Sequence, residues 1–285
     1  MRMHPLRVAL IGHGAIGASV AQAIVGSTHG LRADRIVLVA VLVARRRAVA
    51  DDAESAFLLT HEAETFFETS FDVCVEVAGQ SAVRAHASRV LRSGKPFLCT
   101  SIGALTDDGL RAELTAAALE GGTQLQLASG AMGALDWMGS SAGVTAGQRV
   151  TATQTKPPES WIGAHYEPGT TNQLDDVVDF AALEEATVFF EGSARDAAAS
   201  YPKNSNILAM LALTTAGLDE TRVQLVADPI DRSMRSHVSY EGSAGAIEVR
   251  VAGKKSPTNP RTSQVVPLSV IKALRNMTSP IAFGL

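Results

Sequence analysis

Apolar runs and helical segments alternate along residues 1–130. The apolar runs, typical of strands, lie at 6–11, 35–43, 71–78, 96–100 and 124–128, and helical segments follow at 14–26, 81–93 and 106–119. Strands separated by helices indicate parallel pairing, because two parallel neighbours need a long crossover connection. The pattern therefore predicts an α/β domain with a parallel sheet over residues 1–130.

The hydrophobic pattern changes after Gly130. Strand candidates now follow one another at 149–155, 187–191, 222–227, 236–241 and 246–251, with few helices between them, notably at 206–216. Strict alternation in 222–226 and 247–251 indicates a sheet with one face in water. We expect residues 131–263 to form an α+β domain with a mixed sheet, serving for substrate binding and homodimer formation. Within 264–285, a helix with Pro267 in its first turn is expected to pack back on the first domain.

Composition narrows the functional classes. Of 285 residues, 46% are hydrophobic and 19% charged, as in globular proteins, and the net charge of −4 favours neither nucleic acid nor an anionic membrane as partner. Cys74 and Cys99 lie in apolar runs without metal-ligand spacing, as core cysteines of a cytoplasmic protein do. No apolar run reaches the roughly 20 residues that span a bilayer. We expect a cytoplasmic protein without a metal site.

A glycine-rich turn follows the first strand. Gly12, Gly14 and Gly17, with Ala15 and Ile16 between the last two, match the G-x-G-x-x-G pattern of dinucleotide-binding Rossmann domains. Gly12 would permit the tight turn, Gly14 the close approach of a pyrophosphate, and Gly17 the close packing of the helix on the strand. The helix N-terminus would then offer free N–H groups to the phosphates. The turn predicts NAD or NADP as cofactor.

The acidic residue that binds the ribose in NAD-specific domains has no clear counterpart in the sequence. An acidic residue for the ribose is expected at the end of the second strand, but Asp34 precedes that strand. Beyond it stand Arg45, Arg46 and Arg47, and arginines can pair with a 2′-phosphate. NADP acceptance is one interpretation, and a solvated helix start with surface arginines is the other.

A second motif is typical of hydrolases with a serine nucleophile. Residues 139–143 fit G-x-S-x-G, which would make Ser141 a nucleophile. That motif needs a strand leading into it, whereas the preceding segment is helical. A turn rich in small residues is the better interpretation.

Several separated motifs carry a family resemblance. They are Ser-Gly-Ala-Met within 128–136, Thr-Lys-Pro-Pro at 155–158, Phe-Phe-Glu-Gly-Ser-Ala-Arg at 189–195, Tyr-Pro-Lys-Asn-Ser-Asn at 201–206, Ala-Asp-Pro at 227–229, His237, and Asn-Pro-Arg-Thr-Ser at 259–263. With these motifs in this order along nearly the whole chain, the protein resembles the L-aspartate dehydrogenase family. The resemblance is far more specific than the glycine turn.

The resemblance implies both an activity and site residues. The activity is oxidative deamination of L-aspartate, a small dicarboxylic amino acid, to iminosuccinate with NAD or NADP, or the reverse amination, associated with NAD biosynthesis. It implies that Ala131 and Asn206 contact the nicotinamide cofactor and that His237 is the catalytic residue. Two departures stand out: the segment 161–185 is longer than usual, and Arg235 stands where the family has an asparagine.

The chemistry of the reaction agrees with a histidine. Hydride can leave C2 of aspartate only when the amine is neutral, and an imidazole can take the ammonium proton near neutral pH. His237 falls in a predicted strand, and His165, in the long loop, is the rival candidate.

The remaining polar candidates stay unranked. Asn204 and Asn206 stand at a helix start, where capping is the alternative role. Lys156, Lys203 and Arg195 could bind the substrate carboxylates or be solvated. Two rival functions stay open, a homoserine or cyclic-imine dehydrogenase of similar architecture and a nucleotide-sensing protein without catalysis.

Overall fold

The computed structural model describes residues 4–26, 35–45, 56–143, 147–162, 178–254, 256 and 263–284, apart from the Lys203 side chain. The chain divides into two compact units. The first comprises residues 1–128 and 267–285, and the second comprises residues 129–266.

The first unit is built on a parallel sheet. Its strands are β1 (Leu6–Ile11), β2 (Ile36–Leu42), β3 (Leu58–Thr60), β4 (Val73–Glu76), β5 (Phe97–Cys99) and β6 (Leu125–Leu127). Its helices are α1 (Ala15–Val25), α2 (Ala63–Glu68), α3 (Gln80–Arg92), α4 (Asp108–Glu120) and the C-terminal helix α8 (Val265–Thr278). The strand order β3-β2-β1-β4-β5-β6 is that of a Rossmann fold, which confirms the predicted fold class.

Apolar side chains from both ends of the chain form the core of this unit. Val8 and Leu10 of β1 belong to the same buried cluster as Val20 of α1 and Val270 and Leu274 of α8. Burial of such side chains is the main stabilising term of the unit. The C-terminal helix is therefore part of the core of the first unit.

The two cysteines lie inside the same unit. Cys74 in β4 and Cys99 in β5 are free, buried thiols, and burial raises the pKa of both well above its usual value. They fill core positions, as expected from their apolar surroundings.

The second unit contains a mixed sheet, as predicted. Its strands are β7 (Arg149–Lys156), β8 (Thr187–Ser193), β9 (Arg222–Ala227), β10 (Met234–Gly242) and β11 (Gly245–Gly253), and its helices are α5 (Leu135–Ala142), α6 (Ala194–Ser200) and α7 (Asn206–Thr214). The strand order is β11-β10-β7-β9-β8. β7 and β9 run parallel, and the other neighbours are antiparallel.

The two faces of this sheet differ in character. One face, the helix-covered face, carries Val150, Ala152, Gln154 and Lys156 of β7 and Val238 and Tyr240 of β10. The opposite face, the polar face, carries Thr151, Thr153 and Thr155 of β7 and Arg235, His237 and Ser239 of β10. Leu208 and Leu211 of α7 share a buried cluster with Val150 and Ala152, so α7 packs on the helix-covered face. The predicted sheet with one face in water is confirmed. Within the described ranges, no helix is long and apolar enough to cross a membrane.

Candidate functional site

The glycine turn lies at the carboxyl end of β1. Gly12 has φ +108°, a left-handed conformation that L side chains rarely adopt, and a Cβ there would lie 2.8 Å from Ala78. A Cβ at Gly17 would lie 2.2 Å from the Gly12 carbonyl oxygen, so a side chain would push α1 away from the turn. The backbone therefore requires glycine at both positions.

The start of α1 is suited to an anionic group. Gly14 caps the helix without a side-chain hydrogen bond, and its first turn, which begins with Ala15 and Ile16, carries no acidic residue. A Cβ at Gly14 would meet nothing within 4 Å, so the space above the turn is open. Unpaired N–H groups and the positive end of the helix dipole face that space. These features fit the pyrophosphate of a dinucleotide.

A buried carboxylate at the end of β4 holds the neighbouring turns. Glu76 is 0% exposed. Its Oε1 accepts hydrogen bonds from Ala78 N and Gly79 N at 2.7 Å and from Ser101 Oγ at 2.8 Å, and its Oε2 accepts one from Ser101 N at 3.0 Å. Because Ala78 lies against Gly12, Glu76 fixes one wall of the glycine turn. Glu76 was not predicted from the sequence, although it is an acidic residue that ends an apolar strand.

Of the residues considered for the choice between NAD and NADP, the structure describes Arg45. Arg45 is exposed just after β2. Asp34, Arg46 and Arg47 lie outside the described residues. Arg45 lies beyond the carboxyl end of the strand, where the 2′-phosphate interpretation requires it.

The two predicted nicotinamide contacts both lie in the second unit. Ala131 lies in a turn closed by a hydrogen bond of 3.1 Å from Met132 N to Ser129 O. Asn206 is the first residue of α7, whose cap is Ser205, without a side-chain capping bond. The capping role considered for Asn204 is wrong, because its Oδ1 accepts a hydrogen bond from Lys156 instead.

Lys156 is the most unusual charged residue of this unit. It ends β7, is 5% exposed, and donates from Nζ to Asn204 Oδ1 at 2.5 Å. The same nitrogen lies 4.9 Å from the centre of the Trp161 ring. Burial lowers the pKa of the Lys156 amine from 10.5 to about 7. An amine that titrates near neutral pH can gain or lose a proton under working conditions.

His237 lies in β10, as predicted. Its Nε2 is 3.5 Å from Glu248 Oε2 and is buried without a hydrogen-bond partner among the described residues. Arg235, which replaces the family's asparagine, is on the same face and pairs with Asp228 and Asp231. The rival His165 lies outside the described residues.

The predicted site residues do not all meet on one face of the sheet. Lys156 and α7, which begins at Asn206, belong to the helix-covered face, whereas His237 projects from the polar face, opposite Thr153. The fold thus joins Lys156 to Asn204 and places His237 on the other side.

The structure shows contacts for two further candidates, Ser141 and Arg195. The turn predicted for 139–143 is wrong, because Ser141 lies within the helix α5. Its hydroxyl accepts a hydrogen bond of 2.8 Å from the Tyr240 hydroxyl, and the residue does not stand on a strand-to-helix turn as a nucleophile elbow requires. Arg195 forms a two-point ion pair with Asp219 at 2.6 and 2.9 Å. In the part of the chain that the structure describes, no group of three His, Cys, Asp or Glu residues could hold a metal ion.

Family models match both units. The model for the NAD binding domain of homoserine dehydrogenase matches residues 12–128, which include the glycine turn. The model for the C-terminal part of aspartate dehydrogenase matches residues 139–277.

Individual relatives extend the match to nearly the whole chain. The chain is 40% identical to an L-aspartate dehydrogenase of Ruegeria pomeroyi, over 97% of this chain and 94% of the relative. It is 38% identical to one of Cupriavidus taiwanensis, over 97% and 99%. The crystal structure of aspartate dehydrogenase from Thermotoga maritima shares the fold with a TM-score of 0.71 at 21% identity, covering 98% of this chain and all of that one. The chain belongs to the L-aspartate dehydrogenase family.

Proposed function

We propose that this protein is an NAD(P)-dependent L-aspartate dehydrogenase. The reaction converts L-aspartate and NAD(P)⁺ to iminosuccinate, NAD(P)H and a proton. Water then converts iminosuccinate to oxaloacetate and ammonia, and the reverse sequence aminates oxaloacetate. A role in supplying NAD biosynthesis would follow from the iminosuccinate product.

One observation carries this proposal. Family similarity at 40% identity runs through both units, from the glycine turn to the C-terminal helix, over 97% of the chain. A match confined to residues 12–128 would indicate a cofactor domain only, which many dehydrogenases share. The match of residues 139–277 to the aspartate dehydrogenase model favours aspartate over homoserine as substrate.

The first unit would hold the phosphates of the cofactor. Gly12, Gly14 and Gly17, with the backbone of Ala15 and Ile16, would cradle the pyrophosphate at the start of α1. The bound nicotinamide supplies the hydride acceptor for oxidation of the amine.

Two residues of the second unit would fix the nicotinamide end. We assign Ala131 and Asn206 to this contact, as the family resemblance implies. An amide side chain such as Asn206 can both donate to and accept from a carboxamide or a ribose hydroxyl.

His237 would act on the substrate amine. Its imidazole would take the ammonium proton, which leaves the neutral amine from which hydride can depart, and could then activate water for hydrolysis of the imine. Glu248, whose Oε2 lies 3.5 Å from Nε2, is the acidic neighbour of the ring. A strand holds the ring on a rigid scaffold.

Steady-state kinetics with purified protein test the activity. L-Aspartate should reduce NAD⁺ or NADP⁺, and oxaloacetate with ammonium should oxidise the reduced cofactor, whereas homoserine should give no turnover. His237→Ala should lower kcat by about a hundredfold or more, the usual range for general-base catalysis, with little change in cofactor affinity. His61→Ala, at an exposed position of the first unit, serves as control. Cofactor binding without turnover of any amino acid would favour a nucleotide-sensing protein and refute the proposed dehydrogenase activity.

We also propose that the protein is a cytoplasmic homodimer. The free cysteines Cys74 and Cys99 agree with a reducing compartment. For the dimer, the polar face of the five-stranded sheet is the surface suggested by fold analogy. Because His237 lies on this face, light scattering on the His237→Ala variant should accompany the kinetics.

A further inference from the structure

A buried lysine connects three segments of the second unit. Lys156 ends β7, its Nζ donates to Asn204 in the turn 202–204, and it lies over the ring of Trp161. Asn204 Nδ2 donates in turn to Ser160 O at 3.3 Å, which orients the amide so that its oxygen faces the lysine. The next turn of chain begins α7 at Asn206.

Charged groups on the adjoining elements are already paired. Asp228, next to the end of β9, and Asp231 pair with Arg235. Glu159, which precedes Ser160 in the chain, pairs with Arg232 at 2.5 Å. No carboxylate of the described residues lies within 4 Å of the Lys156 amine. Tyr201, packed on Trp161, is a further titratable side chain nearby. Lys156 therefore does not serve as half of an ion pair with any of them.

The neighbouring polar group on the same face does not hold the lysine either. Gln154 lies two residues earlier on β7, is 2% exposed, and its Oε1 has no hydrogen-bond partner among the described residues. The amine thus donates to Asn204 and not to Gln154. A buried amine aimed at one amide oxygen is costly, since desolvation disfavours its charged form.

We propose that Lys156 is a positioning residue of the dehydrogenase, which holds Asn204 and thereby fixes the turn that presents Asn206 to the cofactor. The inference rests on the proposed function, because it takes Asn206 as a cofactor contact. Lys156 itself need not touch the substrate or the cofactor.

The protonation state of Lys156 should then govern cofactor affinity. The pKa of the amine is lowered to about 7 by burial. Below that pH the ammonium form makes a charge-assisted hydrogen bond to Asn204, which is stronger than the bond from a neutral amine. Cofactor affinity should therefore fall as the pH rises through about 7.

Direct titration with NADH tests the proposal without substrate. Dissociation constants are measured from NADH fluorescence for wild type, Lys156→Met, Lys156→Gln, Asn204→Ala and the Lys156→Met/Asn204→Ala double variant. Loss of the hydrogen bond should raise Kd about tenfold in Lys156→Met and in Asn204→Ala, with no further rise in the double variant. Lys156→Gln keeps a donor and should show a smaller loss. The control Lys254→Met removes an exposed lysine of the same unit and should bind as wild type does.

The pH dependence separates positioning from a merely structural role. NADH is used because it lacks the titrating 2′-phosphate of NADPH. From about pH 6 to about pH 8.5 the wild-type Kd should rise roughly threefold to tenfold, the difference between a charged and a neutral donor, and that of Lys156→Met should stay high and flat.

A clear result would overturn the proposal. If Lys156→Met is folded and binds NADH with the wild-type Kd and pH profile, Lys156 does not position the turn. Should that variant fail to fold, unchanged affinity in Asn204→Ala and Lys156→Gln refutes the proposal equally. Absence of aspartate turnover in the wild type would refute the proposed function alone, since the NADH titration needs no substrate.

Discussion

Replacement of Lys156 by methionine should make the second unit more stable near neutral pH. Burial lowers the pKa of this amine because the charged form loses its hydration, and the fall from 10.5 to about 7 corresponds to about 5 kcal/mol at about 1.4 kcal/mol per unit. Methionine has a similar length and no charge. The variant loses the hydrogen bond to Asn204, which costs about 1–3 kcal/mol. The net gain at pH 7 should therefore be about 2–4 kcal/mol.

The gain should shrink as the pH rises. Between about pH 7 and about pH 10.5 the unfolded chain keeps the Lys156 proton and the folded protein does not, so this group makes the wild type more stable with increasing pH. Below the folded pKa of about 7, the buried lysine destabilises the wild type by the full amount. Above the unfolded pKa of 10.5, this destabilisation is absent. The difference between variant and wild type should fall by about 1.4 kcal/mol per pH unit and approach zero or reverse near about pH 9.5.

Urea unfolding followed by tryptophan emission measures this difference. The two tryptophans of the chain, Trp137 and Trp161, both lie in the second unit, so the signal reports that unit. Lys254→Met, at an exposed position of the same unit, should match the wild type at each pH. A difference between Lys156→Met and wild type that does not change between about pH 7.5 and about pH 9.5 would refute the reasoning.

Three further predictions concern the cofactor domain. Gly17→Ala places a Cβ 2.2 Å from the Gly12 carbonyl oxygen. It should lower the free energy of unfolding in urea by about 1–3 kcal/mol and should also weaken NADH binding. Gly14→Ala, with open space around its Cβ, should weaken NADH binding while the free energy of unfolding stays nearly unchanged. Glu76→Gln turns an NH₂ toward backbone donors and should lower the stability of the first unit by about 2–4 kcal/mol, measured by calorimetry; an unchanged melting temperature would contradict that role. Arg45→Ala should weaken NADPH about tenfold and leave NADH unchanged, and an unaltered preference in fluorescence titration would leave Arg45 a solvated surface residue.

Local patterns predicted the elements that bury a regular face. The apolar runs of β1, β2 and β4 and the glycine turn are set by neighbours in sequence, so their order already indicated the parallel sheet. The short strand Leu58–Thr60 and the helices Ala63–Glu68 and Ala194–Ser200 were missed. Elements of three to seven residues show too few turns or alternations for a period to be recognised, and tertiary packing stabilises them.

The candidate site was harder to predict, since its contacts are long-range. The Lys156–Asn204 bond joins residues 48 positions apart, and the bond from Ser101 to Glu76 spans 25. Nothing in a linear pattern distinguishes the buried Lys156 from the paired Arg195, and both stood unranked. His237 was placed in a strand correctly, but its face follows only from its pairing with Thr153 of β7.

The two predictions for Lys156 have opposite signs, and observing both would distinguish a positioning role from a packing role. A lysine kept for packing or for stability would destabilise the unit on replacement by methionine. A lysine kept for positioning lowers stability in the wild type and supports cofactor binding, so its replacement should stabilise the unit while NADH affinity falls. Residues at functional sites commonly show this trade-off, because the geometry that binding requires is not the geometry of lowest free energy. The pH dependence ties both effects to one proton, since stability should rise and cofactor affinity should fall above about pH 7 in the wild type and in no variant that lacks the amine.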